Sequence, residues 1–408
     1  MRGMRYGLIL LLLLVTCVSL IVAQGPRPTP TLLMDGHVHI TNRVYYEGID
    51  PWKPQATGLW DFARARQGGA NVVIENIAPY GYQDYNGTVK QVARLIETFH
   101  RMMDANRDKM ELALTSADVR RIVASGKMAV ILGIESGFDQ EGDVDVLRLW
   151  HRLGVRLIQF SGQSTTAYAD SAVRGNAVWS GINDRGRRLI EEMNRLGIMI
   201  DITHATEPAQ RQIIEASRAP VVASHTALKA VCDNPSNMPD DILRAVAAKG
   251  GLVGIHSTAA VISQQYYEYS RTHPVGAGLA YSLLDAHDAE PRLVRPRDGF
   301  EAGYIDALDI RLRGLWRNFY AQPWHDDPQA ETLIPTLDQW AEHIVHIVKT
   351  VGAEHAAIGL DLTQGRSAIR DFDARGYRDL AEVLKKHNVP TSVLGENWMH
   401  AMDVAKVK

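Results

Sequence analysis

The chain has 408 residues, of which 46% are hydrophobic and 22% charged, the balance of a globular protein with a full core. Its formal net charge is −3, so neither nucleic acid nor an anionic membrane surface is an expected partner. Only two cysteines, Cys17 and Cys232, and no short-period repeat exclude a disulfide-stapled scaffold and a repeat array.

Residues 1–23 read as a secretory signal or an uncleaved membrane anchor. Arg2 and Arg5 open the segment, 7–22 is nearly continuous apolar sequence, and Ala23 offers a small residue for cleavage. Cys17 hints at a lipid-attachment site, although Thr16 fits poorly before it. Residues 24–31 are polar and Pro-rich, the composition of a linker. Export is therefore expected. Cys232 alone remains after the leader, so the mature chain has no internal disulfide.

From 32 to 408 the sequence predicts one α/β domain. Apolar, β-rich runs recur at 32–40, 71–79, 128–136, 156–162, 198–205, 219–226, 251–257 and 356–363. Amphipathic helical patterns lie between them, for example at 89–104, 186–196 and 239–248. Eight strand–helix units are the pattern of a (β/α)8 TIM barrel. An open doubly wound sheet is the alternative, but no Gly-rich phosphate fingerprint follows the first run. Residues 258–337 form a long insertion between strands 7 and 8, far beyond an ordinary barrel connection. This segment carries Tyr266, Tyr267, Tyr269, His273, Trp316, Tyr320, Trp324 and His325. It reads either as a subdomain with its own small core or as a lid over the barrel mouth.

Chemistry in such a barrel gathers at the C-terminal ends of the strands. The first run ends in His37 and His39, which share one face because strand side chains alternate. The third run ends in Glu135, the fifth in His204, the sixth in His225 and the eighth in Asp361. Any one of these could be an ordinary hydrogen-bonded or helix-capping residue. Six from five strands at one end of the barrel have a common explanation in metal binding, which offsets the cost of burying charge. Nitrogen and oxygen ligands suit zinc first, with manganese, cobalt or iron as alternatives. Six ligands exceed the need of one catalytic zinc and fit two divalent ions bridged by a carboxylate.

These motifs resemble those of the membrane dipeptidase (renal dipeptidase) family of amidohydrolase-type barrels. The similarity runs through Asp35-Gly36-His37-Val38-His39, Gly133-Ile134-Glu135-Ser136-Gly137, the stretch 192–204, the stretch 217–225, Asn237-Met238-Pro239-Asp240-Asp241 and Ile358-Gly359-Leu360-Asp361. The resemblance implies one metal among His37, His39, Glu135 and Asp361, and a second among Glu135, His204 and His225, with Glu135 as the bridge. It further implies a metal-bridged hydroxide attacking a peptide or amide carbonyl. Asp361 would act as general base and then general acid, and the chain would form a homodimer.

Three positions depart from the family pattern. His39 stands where the family has an aspartate, which removes one negative charge from the site. Gly162, followed by Gln163, stands where the family has a histidine that holds the substrate carbonyl. Ser236 replaces the arginine that grips a dipeptide's carboxylate, an interaction worth roughly 1.5–3 kcal/mol. With His256 at the end of the seventh run, Gly162, Gln163 and Ser236 are the candidate substrate-binding positions. The metal machinery is kept while dipeptide recognition is altered. A lactonase or cyclic-amide hydrolase of the wider superfamily, and a non-catalytic metal-binding surface protein, are the alternatives. The lysine bridge common in lactonases and phosphotriesterases has no counterpart in the fourth run.

Overall fold

The computed structural model describes residues 31–79, 87–162, 164–173, 176–273, 327–362 and 368–407. Eight strands follow one another around a barrel: β1 (Met34–Val38), β2 (Val72–Ile77), β4 (Met128–Ile134), β5 (Val155–Gln159), β6 (Met199–Asp201), β7 (Val221–Thr226), β8 (Leu252–Ile255) and β9 (Ala356–Ile358). All neighbouring pairs are parallel. The ring closes where Asp361 N–H donates to the His37 carbonyl at 3.1 Å and Leu360 N–H donates to Asp35 Oδ1 at 2.9 Å. This is the (β/α)8 barrel the sequence predicts.

The strands read as apolar runs because both of their faces are covered. Val72, Ile74, Ala129 and Ile131 belong to one core cluster, together with Met34, Leu157, Val222 and Trp398. Their neighbours Val73, Ile77, Val130 and Leu132 face the surrounding helices in the other. Trp398 explains Gly36: a Cβ at that position would lie 2.2 Å from the indole, so only glycine lets the ring pack there.

One strand was not anticipated. Residues Met110–Leu112 form β3, which pairs in parallel with β4 outside the ring. Three residues with Glu111 at the centre are too short to display an alternating pattern.

The two ends of the long insertion pack together. Ala259 and Tyr266 share a small core with Ala330 and Ile334, and the Tyr269 hydroxyl donates to Asp327 Oδ2 at 2.6 Å. Trp316, Tyr320, Trp324 and His325 lie outside the described residues, as do the leader, most of the linker and Gln163. Among the described residues no helix is long and apolar enough to cross a membrane. Cys232 is fully buried with its Sγ 3.8 Å from the Ala260 carbonyl, so a disulfide across a dimer could use it only if its loop opened.

Candidate metal centre

Strand ends and the turns after them carry the candidate ligands. His37 lies within β1, His39 just beyond it, Glu135 directly after β4, and His225 within β7. His204 follows β6 and Asp361 follows β9. Six described non-glycine residues have positive φ, and three of them are His204 (67°), Asp361 (51°) and Ser136 (63°), the neighbour of Glu135. Such conformations cost about 1–3 kcal/mol each and persist where surrounding structure enforces them. Here they turn side chains inward over the barrel mouth.

Glu135 stands at the centre. Its Oε2 lies 2.7 Å from His39 Nε2 and 3.3 Å from His37 Nε2. Its Oε1 lies 3.1 Å from His204 Nε2 and 3.8 Å from His225 Nε2. Each oxygen thus faces its own pair of imidazoles. Within the pairs, the Nε2 atoms are 2.9 Å apart for His37 and His39 and 3.2 Å apart for His204 and His225. Asp361 Oδ1 is 3.6 Å from His39 Nε2. Nitrogen ligands on one tetrahedral zinc stand about 3.3 Å apart, from bonds of about 2.0–2.1 Å. The two nitrogen separations, 2.9 and 3.2 Å, lie just below that edge, so the donor set fits divalent metal.

The tautomers fit as well. Ser224 Oγ has one proton, and it goes to Asp201 Oδ2 at 2.5 Å. The hydroxyl must then accept from His37 Nδ1–H at 3.0 Å and His225 Nδ1–H at 2.8 Å. Both imidazoles are left with Nε2 unprotonated and facing the cluster. His39 Nδ1 donates to the Asn76 carbonyl, so Nε2 is its atom that faces Glu135 and would bind metal once deprotonated. Asp201 therefore supports His37 and His225 through Ser224.

Burial and charge divide the group further. Burial pushes the Glu135 carboxyl up, but the charge of His39 and the close contacts with His204, His37 and His39 outweigh it and hold it well below the usual range. Burial likewise opposes ionisation of Asp361, and His256 and His39 reverse that balance. Burial disfavours a charged His39, yet Glu135, Asp361 and Glu75 raise its pKa to about 9. Burial and the neighbouring charge of His37 press His225 well below its ordinary value, toward the neutral ligand form.

The substrate-side positions separate. Ser236 and His256 line a cavity of about 230 Å³ beside His204 and His225, with Asn237, Met238 and Val261. Gly162 does not face it. A Cβ there would sit 2.1 Å from Ser136 Cα, so this glycine seals the seam beside Glu135 and has no room for a substrate-contacting side chain. Ser236 directs both its N–H and its hydroxyl at Asn234 Oδ1.

Two supporting residues were missed in the sequence. Ser224 is one; its only signal was a hydroxyl directly before His225. Asp35 is the other. Its Oδ1 accepts from the N–H groups of His37 and Leu360, and its Oδ2 from the Tyr377 hydroxyl. It thereby ties the first ligand strand to the last. Glu75 caps the helix after His39, accepting from Ile40 N–H and Thr41 N–H.

A parallel barrel whose mouth holds four imidazoles around one two-sided carboxylate defines a metal-centred (β/α)8 protein. The chain belongs to the membrane dipeptidase family (Peptidase family M19), whose model matches residues 29–407. Membership implies a divalent-metal site. Similar curated proteins include Dipeptidase tcpJ of Claviceps purpurea, 31% identical over 54% of this chain and 55% of that protein. Dipeptidase aclJ of Aspergillus oryzae is 32% identical over 66% of this chain and 67% of that protein. The chain spans about half the length of the first of these. Among solved structures, a metallo peptidase from Rhodobacter sphaeroides liganded with a phosphinate mimic of the dipeptide L-Ala-D-Ala superposes with a TM-score of 0.66 at 19% identity. That match covers 92% of this chain and all of the other, and it shows a shared fold.

Proposed function

We propose that the protein is an exported, binuclear metal-dependent hydrolase of amide bonds whose substrates lack the free carboxylate of an ordinary dipeptide. The observation that carries the binuclear reading is the division of Glu135 between two imidazole pairs. His37, His39, Glu135 and Asp361 would hold one ion, and Glu135, His204 and His225 the other. Zinc suits this nitrogen and oxygen set. Bound divalent ions supply Lewis acidity for water activation and carbonyl polarisation. The protein's own part is proton transfer and positioning. Asp361, ionised at the mouth, takes a proton from the attacking water and returns it to the leaving nitrogen. Ser224 and Asp35 keep His37, His225 and Asp361 aimed while that happens.

The cavity supports the substrate assignment. None of its described lining residues is Lys or Arg, and neither Arg218 nor Lys229 reaches it. Two lining amides present oxygens with no donor among the described residues, Asn237 Oδ1 and Gln210 Oε1. Their orientations are set because Asn237 Nδ2 donates to the Cys232 and Val261 carbonyls and Gln210 Nε2 to the Ala205 carbonyl. Acceptors without a cation suit an N–H group and disfavour a carboxylate. The R. sphaeroides neighbour, by contrast, was captured with a dipeptide mimic. The same cavity chemistry favours a cyclic amide as the second reading over a lactone, which has no N–H to offer these oxygens.

The test is zinc-loaded protein assayed on dipeptides, the corresponding dipeptide amides, cyclic amides and lactones, with Asp361→Ala as the control. Cleavage of amides in preference to free dipeptides, lost in the control, is expected. Faster cleavage of the free dipeptides would overturn the substrate assignment.

A further inference from the structure

His256 is fastened on every side of its backbone. Its N–H donates to the Thr226 carbonyl at 2.8 Å, its carbonyl accepts from Trp340 Nε1–H at 2.9 Å, and the next residue, Ser257, donates to the Leu360 carbonyl at 3.0 Å. The ring is held as firmly. Its Nδ1 accepts from the N–H of Ser257 at 2.8 Å and from the N–H of Thr258 at 2.9 Å. An acceptor nitrogen carries no proton, so the neutral ring carries its proton on Nε2. That nitrogen stands 3.4 Å from Asp361 Oδ2. Contacts of this kind are long in ligand-free structures and tighten when a site fills.

By position alone His256 is an eligible metal ligand, since His225, His256 and Asp361 bring ligand atoms within 4.8 Å of one another. The tautomer argues otherwise. A ring whose Nδ1 is occupied by two backbone donors would have to surrender the Nε2 proton, and become an anion, to bind metal through Nε2. Asp361 is divided as Glu135 is: Oδ1 faces His39 and Oδ2 faces His256.

We propose that His256 is a positioning residue that donates Nε2–H to Asp361 Oδ2 and fixes the rotation of that carboxylate, and that it is neither a metal ligand nor a substrate contact. The inference rests on the reading of Asp361 as general base. With Oδ2 held by His256, Oδ1 stays turned toward the cluster, and the proton that Asp361 takes from water passes on to the departing nitrogen. His256 keeps its own proton throughout.

His256→Leu and His256→Gln test this, because a glutamine amide can place an N–H near the position of Nε2. Metal per chain, kcat and KM are measured for both variants at saturating zinc. Both are expected to keep the wild-type metal content. Leu should lower kcat by about 10–100-fold, the usual cost of losing such an orienting partner, with KM unchanged, and Gln should recover most of that loss. Loss of metal from both variants would make His256 a ligand. A rise in KM at constant kcat would make it a substrate contact, and Gln no better than Leu would remove the hydrogen bond from the explanation. A separate arm needs no substrate and stands even if wild-type protein cleaves no amide. In zinc-loaded protein with 15N-labelled histidine, the signal missing from His256→Gln must show a proton on Nε2 and none on Nδ1. A ring protonated at Nδ1, or with Nε2 shifted by metal, would overturn the assignment.

Discussion

Replacing Ser224 by alanine should weaken both metal sites at once. The hydroxyl accepts from His37 Nδ1–H and His225 Nδ1–H and donates to Asp201 Oδ2. All four residues are at most 1% exposed, so water does not readily replace what is lost. Each buried polar group left without a partner costs about 1–3 kcal/mol. Asp201 is partly protected, because its Oδ1 still accepts from Thr203 N–H, the Thr203 hydroxyl and Ser224 N–H. The two imidazole N–H groups bear the loss, about 2–6 kcal/mol in all if neither rearranges. Either ring can escape it by moving its proton to Nε2, the atom aimed at the metal. Affinity at each site should then fall by about 10–100-fold. His37 belongs to one proposed ligand set and His225 to the other, so a chelator-competition titration should show both binding steps weakened. If Ser224→Ala binds two metals with dissociation constants within twofold of wild type, the hydroxyl does not set the tautomers.

Other consequences are equally direct. Glu135→Ala should abolish tight binding at both sites together, which metal analysis after dialysis would detect; loss of one ion alone would contradict the bridging role. Metal affinity should rise about tenfold per pH unit up to about 9 and then level off, because His39, with its pKa raised to about 9, must give up a proton to bind. The metal-free protein should behave in the opposite sense. A raised folded-state pKa gives stability that is present below the unfolded value and is lost as pH rises through the folded one. His39 therefore costs the metal-free form stability between about 6.5 and about 9, and Asp35 and Glu75, held up by burial to about 6 and about 7, act in the same direction at lower pH. Its melting temperature should fall from pH 6 to pH 9. Gly162→Ala should destabilise the protein by about 1–3 kcal/mol through its clash with the Ser136 backbone, read by denaturant titration, and no substrate should offset that loss.

The barrel and the gathering of the candidate ligand residues at its mouth were legible because they rest on periodic and positional signals. Apolar runs mark strands covered on both faces, and a His, Glu or Asp where such a run stops marks the barrel mouth. What holds those residues in place was not legible. Ser224 and Asp35 act through hydrogen bonds to residues far along the chain, 187 positions for Ser224 to His37 and 325 for Asp35 to Leu360, and no local pattern records such pairings. Asp201 is a further case: the Ser224 hydroxyl that it accepts from lies 23 positions along the chain, on the neighbouring strand. Gly162 is another. Alignment gives a position, but only the packing of β5 against the turn after β4 shows that no side chain fits there. The short strand β3 escaped because three residues carry no period.

The central claim is that the metal machinery serves a substrate without a free carboxylate. It is tested most directly by kcat/KM of zinc-loaded protein on one dipeptide and on the same dipeptide with its C-terminal carboxylate converted to an amide. The account predicts that the amide is the better substrate, because Asn237 and Gln210 present acceptor oxygens where a carboxylate would need a cation. A free dipeptide hydrolysed tenfold faster than its amide would contradict it.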